Sequence, residues 1–158
     1  MQAGIDRYRA AAASLSINAL VNEEHDSTRL GKHLEQTGYK RPPRCHAHAL
    51  VAGKHMHAAV LRLIMTSLKI RIDDPDNGCW LPENTAATPH SSLPRAVPHS
   101  RIHRYNYYFW IHSRLSRLEN AASFRTNLKI IAGHLQQGSH PKYVMLPKDV
   151  GITDKGIA

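Results

Sequence analysis

Cysteine is almost missing from this chain of 158 residues, which carries only Cys45 and Cys79. Two thiols exclude a disulfide framework, and each reads as a small buried hydrophobe. Acidic residues are also scarce: 12 stand against 21 lysines and arginines, for a formal charge of +9. That balance argues for an anionic partner, nucleic acid first, and says little about fold. No apolar run is long enough to span a membrane. A signal-peptide layout is missing too, because Asp6, Arg7 and Arg9 interrupt the first residues, so export is expected to depend on something else that carries the chain. No internal repeat and no linker divides the sequence, and its length suits one domain with a sizeable core.

The charges that are present are unevenly spread. Six arginines and a single acid, Glu119, lie between Arg95 and Arg125. Four acids, Asp73, Asp74, Asp76 and Glu83, lie between Ile72 and Asn84 with no base among them. Such segregation suits a polar binding face, and equally a solvated surface.

Apolar spacing predicts a helix over residues 4–20 and a second over 27–37, capped by Asp26 or Ser27 and stopped by Gly38. KRPPR (residues 40–44) predicts an extended entry into the stretch that begins at Cys45. Residues 48–52 read as a strand or loop. Residues 56–68 are apolar nearly all round and predict a well-buried helix. DDPDNG (73–78) is turn chemistry, CWLP a short extended piece, and residues 84–98, with three prolines, a loop. A long helix is expected over 99–118, though YNYYFW weakens it. A cleaner amphipathic helix covers 120–136, with Phe124, Leu128, Ile131 and Leu135 on one stripe and Gly138 after it. The last twenty residues read as loosely structured.

Chemistry enters through histidine, of which there are 12. On a helix, His99 and His103 would put both rings on one face, able to share one divalent ion. The glutamate of zinc peptidases is missing, since position 100 is Ser. Taken alone, such a pair is more often two surface histidines, and a third ligand from elsewhere is needed to change the odds. His48 is the candidate. His46 suits the surface or a place behind the ligands, and His90, in the loop before the pair, is a weaker candidate for approach to the site.

Three pieces together resemble the AHH family of the HNH/endonuclease VII nucleases. They are Ala47-His48-Ala49-Leu50-Val51-Ala52-Gly53, then Asp73-Asp74-Pro75-Asp76-Asn77-Gly78-Cys79-Trp80-Leu81-Pro82, then His99-Ser100-Arg101-Ile102-His103 with Tyr105, Tyr107 and Tyr108 beyond. The resemblance covers roughly residues 30–145. It implies a mostly helical α+β domain around a small ββα-metal core, with a helical part over 1–44, the metal core over 45–118, and a helix and tail over 119–158. It implies that His48, His99 and His103 bind one divalent ion (Zn, Mg, Mn or Ni) and that Asn77 braces the hairpin. The general base that activates water would be a histidine at position 49, where this chain has Ala49. Natural divergence or a deliberate His→Ala change would leave that pattern, and either is expected to disable catalysis. Arg101 and Arg104, beside the ligands, are candidates for phosphate contact.

The resemblance further implies an endonuclease toxin, the terminal part of a larger effector delivered to rival bacteria and acting in the target cytoplasm. Its expected partners are double-stranded DNA and a cognate immunity protein, with no membrane. The rival readings are a non-catalytic nucleic-acid-binding or metal-stabilised module, and an RNase of the same fold.

Overall fold

The computed structural model describes residues 2–147. The helix expected over 4–20 is broken. Helix α1 (Gln2–Ala11) passes into a 3-10 turn at Ala12–Ser14, the backbone extends at Leu15, and α2 (Ile17–Val21) begins anew. Ser16 explains the restart: its hydroxyl accepts the Ala19 N–H, and a residue in that capping role is itself extended. Helix α3 (Ser27–Gln36) has the expected ends. Asp26 accepts the N–H groups of Thr28 and Arg29, and Gly38 turns the chain away at φ +96°. The entry over residues 40–44 is not simply extended, because the chain turns at Pro43–Arg44 and Arg44 takes φ +51°.

Strands β1 (Cys45–Ala49) and β2 (Gly78–Pro82) pair antiparallel, with His48 opposite Cys79 and Ala49 opposite Gly78. Side chains alternate along a strand. One face of this hairpin therefore carries His46, His48, Cys79 and Leu81, and the other carries Cys45, Ala47, Ala49 and Trp80. Helix α3 covers the second face, packing Leu30 and Leu34 on Cys45, Ala47, Ala49 and Trp80. Gly78 permits that approach, since a Cβ there would meet Leu30 Cδ1 at 2.7 Å.

The first face looks into the main core, which it shares with α4 (Ala59–Ser67), α5 (Tyr105–Leu115) and α6 (Ala121–Gln137). Helix α6 buries the four residues of its predicted stripe, is capped by Asn120 and ends at Gly138 with φ +64°. The segment containing α4 is less buried than expected. Leu61 and Met65 reach the core, but Met56 is 78% exposed, and Val60 and Leu63 are exposed as well.

The long helix expected over 99–118 does not form. A 3-10 turn spans His99–Arg101, Arg104 is extended (φ −128°, ψ 158°), and α5 starts at Tyr105. Tertiary anchors hold the break open: Ile102 is fully buried, and the Arg104 guanidinium donates to the Leu146 carbonyl at 2.7 Å. Within the stretch read as loosely structured, a 3-10 turn forms at Lys142–Met145 and places Val144 in the core. Residues 148–158 of the loosely structured stretch lie outside the described residues.

The acidic segment 72–84 is largely an internal ion network. Asp73 and Asp74 are fully buried. Arg29 binds Asp73, Arg9 and Arg125 bind both Asp74 and Asp76, and Lys129 adds to Asp76. Buried carboxylates need such partners. Here the partners come from α1, α3 and α6, so the turn before β2 is where those helices are tied together. Burial alone would raise the Asp74 carboxyl, yet the bond from Arg9 and the charge of Arg125 hold it below the ordinary range.

Candidate metal centre

His48 projects from the end of β1, next to its final residue Ala49, and is completely buried. Its hydrogen bonds define its tautomer. The Tyr107 hydroxyl donates to the Leu50 carbonyl at 2.7 Å, which uses its only hydrogen. Toward His48 Nε2, 3.2 Å away, that oxygen can then only accept. The His48 proton therefore sits on Nε2, and Nδ1 carries a bare lone pair. Nδ1 is buried and has no hydrogen-bond partner. An orphaned buried acceptor is costly, and a cation facing it would remove the cost.

His99 and His103 stand beside the His48 ring. Their Nε2 atoms are 3.4 Å apart. Two imidazoles sharing a tetrahedral ion at about 2.0–2.1 Å would place their nitrogens roughly 3.3 Å apart. His103 Nδ1 is held by the Tyr108 hydroxyl at 2.9 Å, the outer contact that orients a ligating ring. Ring centroids lie 5.3 Å apart for His48–His99 and 5.2 Å for His48–His103. One ring nitrogen from each of the three lies within 4.8 Å of the other two. Burial pushes all three imidazoles down, and neighbouring histidines add to it: His48 well below its usual value beside His103 and His99, His99 to about 4 beside His103 and His46, and His103 in the same direction beside His55. All three are thus neutral at neutral pH, the form that binds metal.

Among known families, a model described as a nuclease family of the HNH/ENDO VII superfamily with conserved AHH matches residues 30–135. The chain belongs to the AHH nuclease family. No curated protein and no solved structure matches it significantly. Nucleases of this superfamily use a divalent metal, and their substrate is nucleic acid. The matched region contains both strands, α5 and all three histidines.

Asn77 is buried and saturated. Its amide donates to the carbonyls of Ile72 (2.8 Å) and Val51 (3.2 Å), and its Oδ1 accepts the Val51 N–H at 2.9 Å. Its own carbonyl accepts the Leu50 N–H at 2.8 Å. The segment leaving β1, including the Leu50 carbonyl that positions Tyr107, is thereby fastened to the acidic turn.

Ala49 lines a cleft of about 680 Å³ together with His99 and His103. Of the two arginines singled out for phosphate contact, neither lines this cleft. Arg101 is exposed, and Arg104 is engaged by Leu146. The cationic side chains on the cleft wall are Lys32 and Arg41. Arg41 is held by the Cys45 carbonyl at 2.9 Å and lies over the Trp80 ring. Neither belongs to a motif: Lys32 comes in with α3 as it packs on the hairpin, and Arg41 lies in the segment just before β1. His46 also lines the cleft, its ring 5.5 Å from that of His99. His90 is structural: its Nδ1 accepts the N–H groups of Ser92 and Leu93, and its Nε2 donates to the Pro43 carbonyl at 2.7 Å.

Proposed function

We propose that this protein is a metal-dependent endonuclease toxin that hydrolyses phosphodiester bonds of DNA in rival bacterial cells. The observation that carries the reading is the orphaned Nδ1 of buried His48, in a ring clustered with two histidines whose Nε2 atoms are spaced for one ion. In this reading His48, His99 and His103 hold a divalent ion, and Asn77 keeps the β1 exit in register with them. Three neutral imidazoles suit zinc or nickel better than magnesium. When bound, the ion stabilises negative charge building on the phosphate and the leaving oxygen.

Lys32 and Arg41 draw the polyanion into the cleft, and Arg101 adds positive potential outside it. Ala49 supplies no proton acceptor, so β1 lacks the imidazole that the family resemblance implies there. The net charge of +9 supports nucleic acid as target and an acidic immunity protein as inhibitor, because opposite charge speeds encounter. Delivery as the end of a larger effector, with action in the target cytoplasm, belongs to the same proposal. Ala49 also favours a second reading, a binding module that keeps the nuclease shape without cutting.

Plasmid DNA and structured RNA incubated with the protein, and with its Ala49→His variant, under zinc, nickel, manganese, magnesium or chelator would test this. Cleavage of DNA that chelator abolishes is the expected result. Preference for RNA would move the target. Failure of both proteins with every ion would leave only the binding module.

A further inference from the structure

The cleft contains a histidine that the family match does not reach. The match begins at residue 30, and His25 lies before it, next to the Asp26 cap of α3. It lines the same cleft as Ala49, His99 and His103. Helix α3 covers the face of the hairpin that carries Ala49, so His25 enters from the side toward which a side chain at position 49 projects. Gly53, just after the β1 exit, lets it in closely: a Cβ on Gly53 would stand 2.7 Å from His25 Cβ.

His25 is held by a carboxylate. Its Nδ1 contacts Asp73 Oδ1. Asp73 is fully buried, and its other oxygen is occupied by Arg29 Nε at 2.7 Å and by the Asp26 N–H at 3.0 Å. A carboxylate on Nδ1 makes that nitrogen the donor and leaves the lone pair on Nε2. Nε2 has no protein partner among the described residues, and the side chain is 26% exposed. A purely structural pair would fasten the loop before α3. Asp73, however, already has Arg29 as counterion and the Asp26 N–H as loop anchor.

We propose that His25, oriented by Asp73, is the general base of this nuclease and supplies from the α3 side the proton acceptor that Ala49 lacks. The inference rests on the nuclease reading above. His25 Nε2 takes a proton from a water in the cleft while the water oxygen bonds to phosphorus. The bond from phosphorus to the leaving sugar oxygen breaks, and that oxygen takes a proton from solvent. The imidazolium that results keeps its Nδ1–H on the Asp73 carboxylate, which offsets its charge.

The test uses His25→Asn, whose amide N–H can still donate to Asp73 while nothing replaces Nε2. Cleavage should fall roughly 10²–10⁴-fold, with zinc affinity by calorimetry and Tm unchanged, and free imidazole should restore part of the rate. Independently of activity, ¹⁵N NMR of the metal-free protein should show His25 protonated at Nδ1 and bare at Nε2. The Nε2 resonance should shift when a short DNA duplex is added in chelator. Full cleavage by His25→Asn overturns the proposal and leaves the nuclease reading standing. So does an inert parent protein whose Ala49→His variant cuts. If neither protein cuts with any ion, the nuclease reading fails and this proposal with it, whether or not zinc binds.

Discussion

Replacing Asn77 with Ala should unfasten the site from below. The Asn77 side chain satisfies one N–H and two carbonyls, all within the fold. Alanine leaves those three backbone groups unpaired, at about 1–3 kcal/mol each. With some relief from an entering water, the loss should be roughly 3–6 kcal/mol, a large part of the ~5–15 kcal/mol that holds a domain together. For a chain of this size that corresponds to a fall in Tm of roughly 10–20 °C. Asn77→Asp makes the reasoning sharper. The carboxylate keeps an acceptor for the Val51 N–H but turns its second oxygen toward two carbonyls, and it buries a charge with no counterion among its hydrogen-bond partners. It should therefore be at least as damaging as alanine despite having the same shape. Urea and thermal unfolding of the three proteins, followed by circular dichroism, measure this. A loss under about 1 kcal/mol for Ala, or a milder effect for Asp than for Ala, would refute the account of Asn77 as the clasp of the β1 exit.

Other consequences can be checked separately. His99→Ala should weaken zinc binding more than 100-fold by calorimetry, since losing even an outer contact to a ligand costs about 10–100-fold; undiminished affinity would remove His99 from the centre. Tyr107→Phe should weaken it by about 10–100-fold, because His48 loses the contact that keeps its proton on Nε2. In the metal-free protein the three imidazoles are depressed by folding, so protonation favours the unfolded chain. The stability they contribute is complete above the ordinary imidazole value of about 6.5 and drains away as pH falls toward the His99 value of about 4; a Tm that stays level across that window contradicts the sign. Binding of DNA should weaken steeply with salt, and Lys32→Ala or Arg41→Ala should lower the logarithmic salt slope by about one, whereas Arg104→Ala should change it less. Equal effects from all three would mean the cleft does not direct binding.

Local pattern was enough for a good deal of this protein. The boundaries of α3, the buried stripe of α6 and the turn at 73–78 rest on caps, glycines and apolar spacing, all of which act within a few residues. The candidate ligands were legible in the same way, because His48, Asn77, His99 and His103 sit in three short motifs whose order and spacing survive in one dimension. The geometry behind them was not. His99 and His103 were expected one turn apart on a long helix, and they meet across a 3-10 turn and an extended residue that buried Ile102 and the Arg104–Leu146 bond hold in place. The acids at 73–76 looked like a polar face until α1, α3 and α6 supplied their counterions. His25, Lys32 and Arg41 carry no motif, and tertiary packing gathers them into one cleft with Ala49 from the loop before α3, from α3 itself and from the segment before β1. Sequence determined which side chains are present and which short elements they form, because those choices depend on near neighbours. Tertiary structure decided which polar groups face one another, because burying a charge or a lone pair selects its partner from any part of the chain that packing brings within reach.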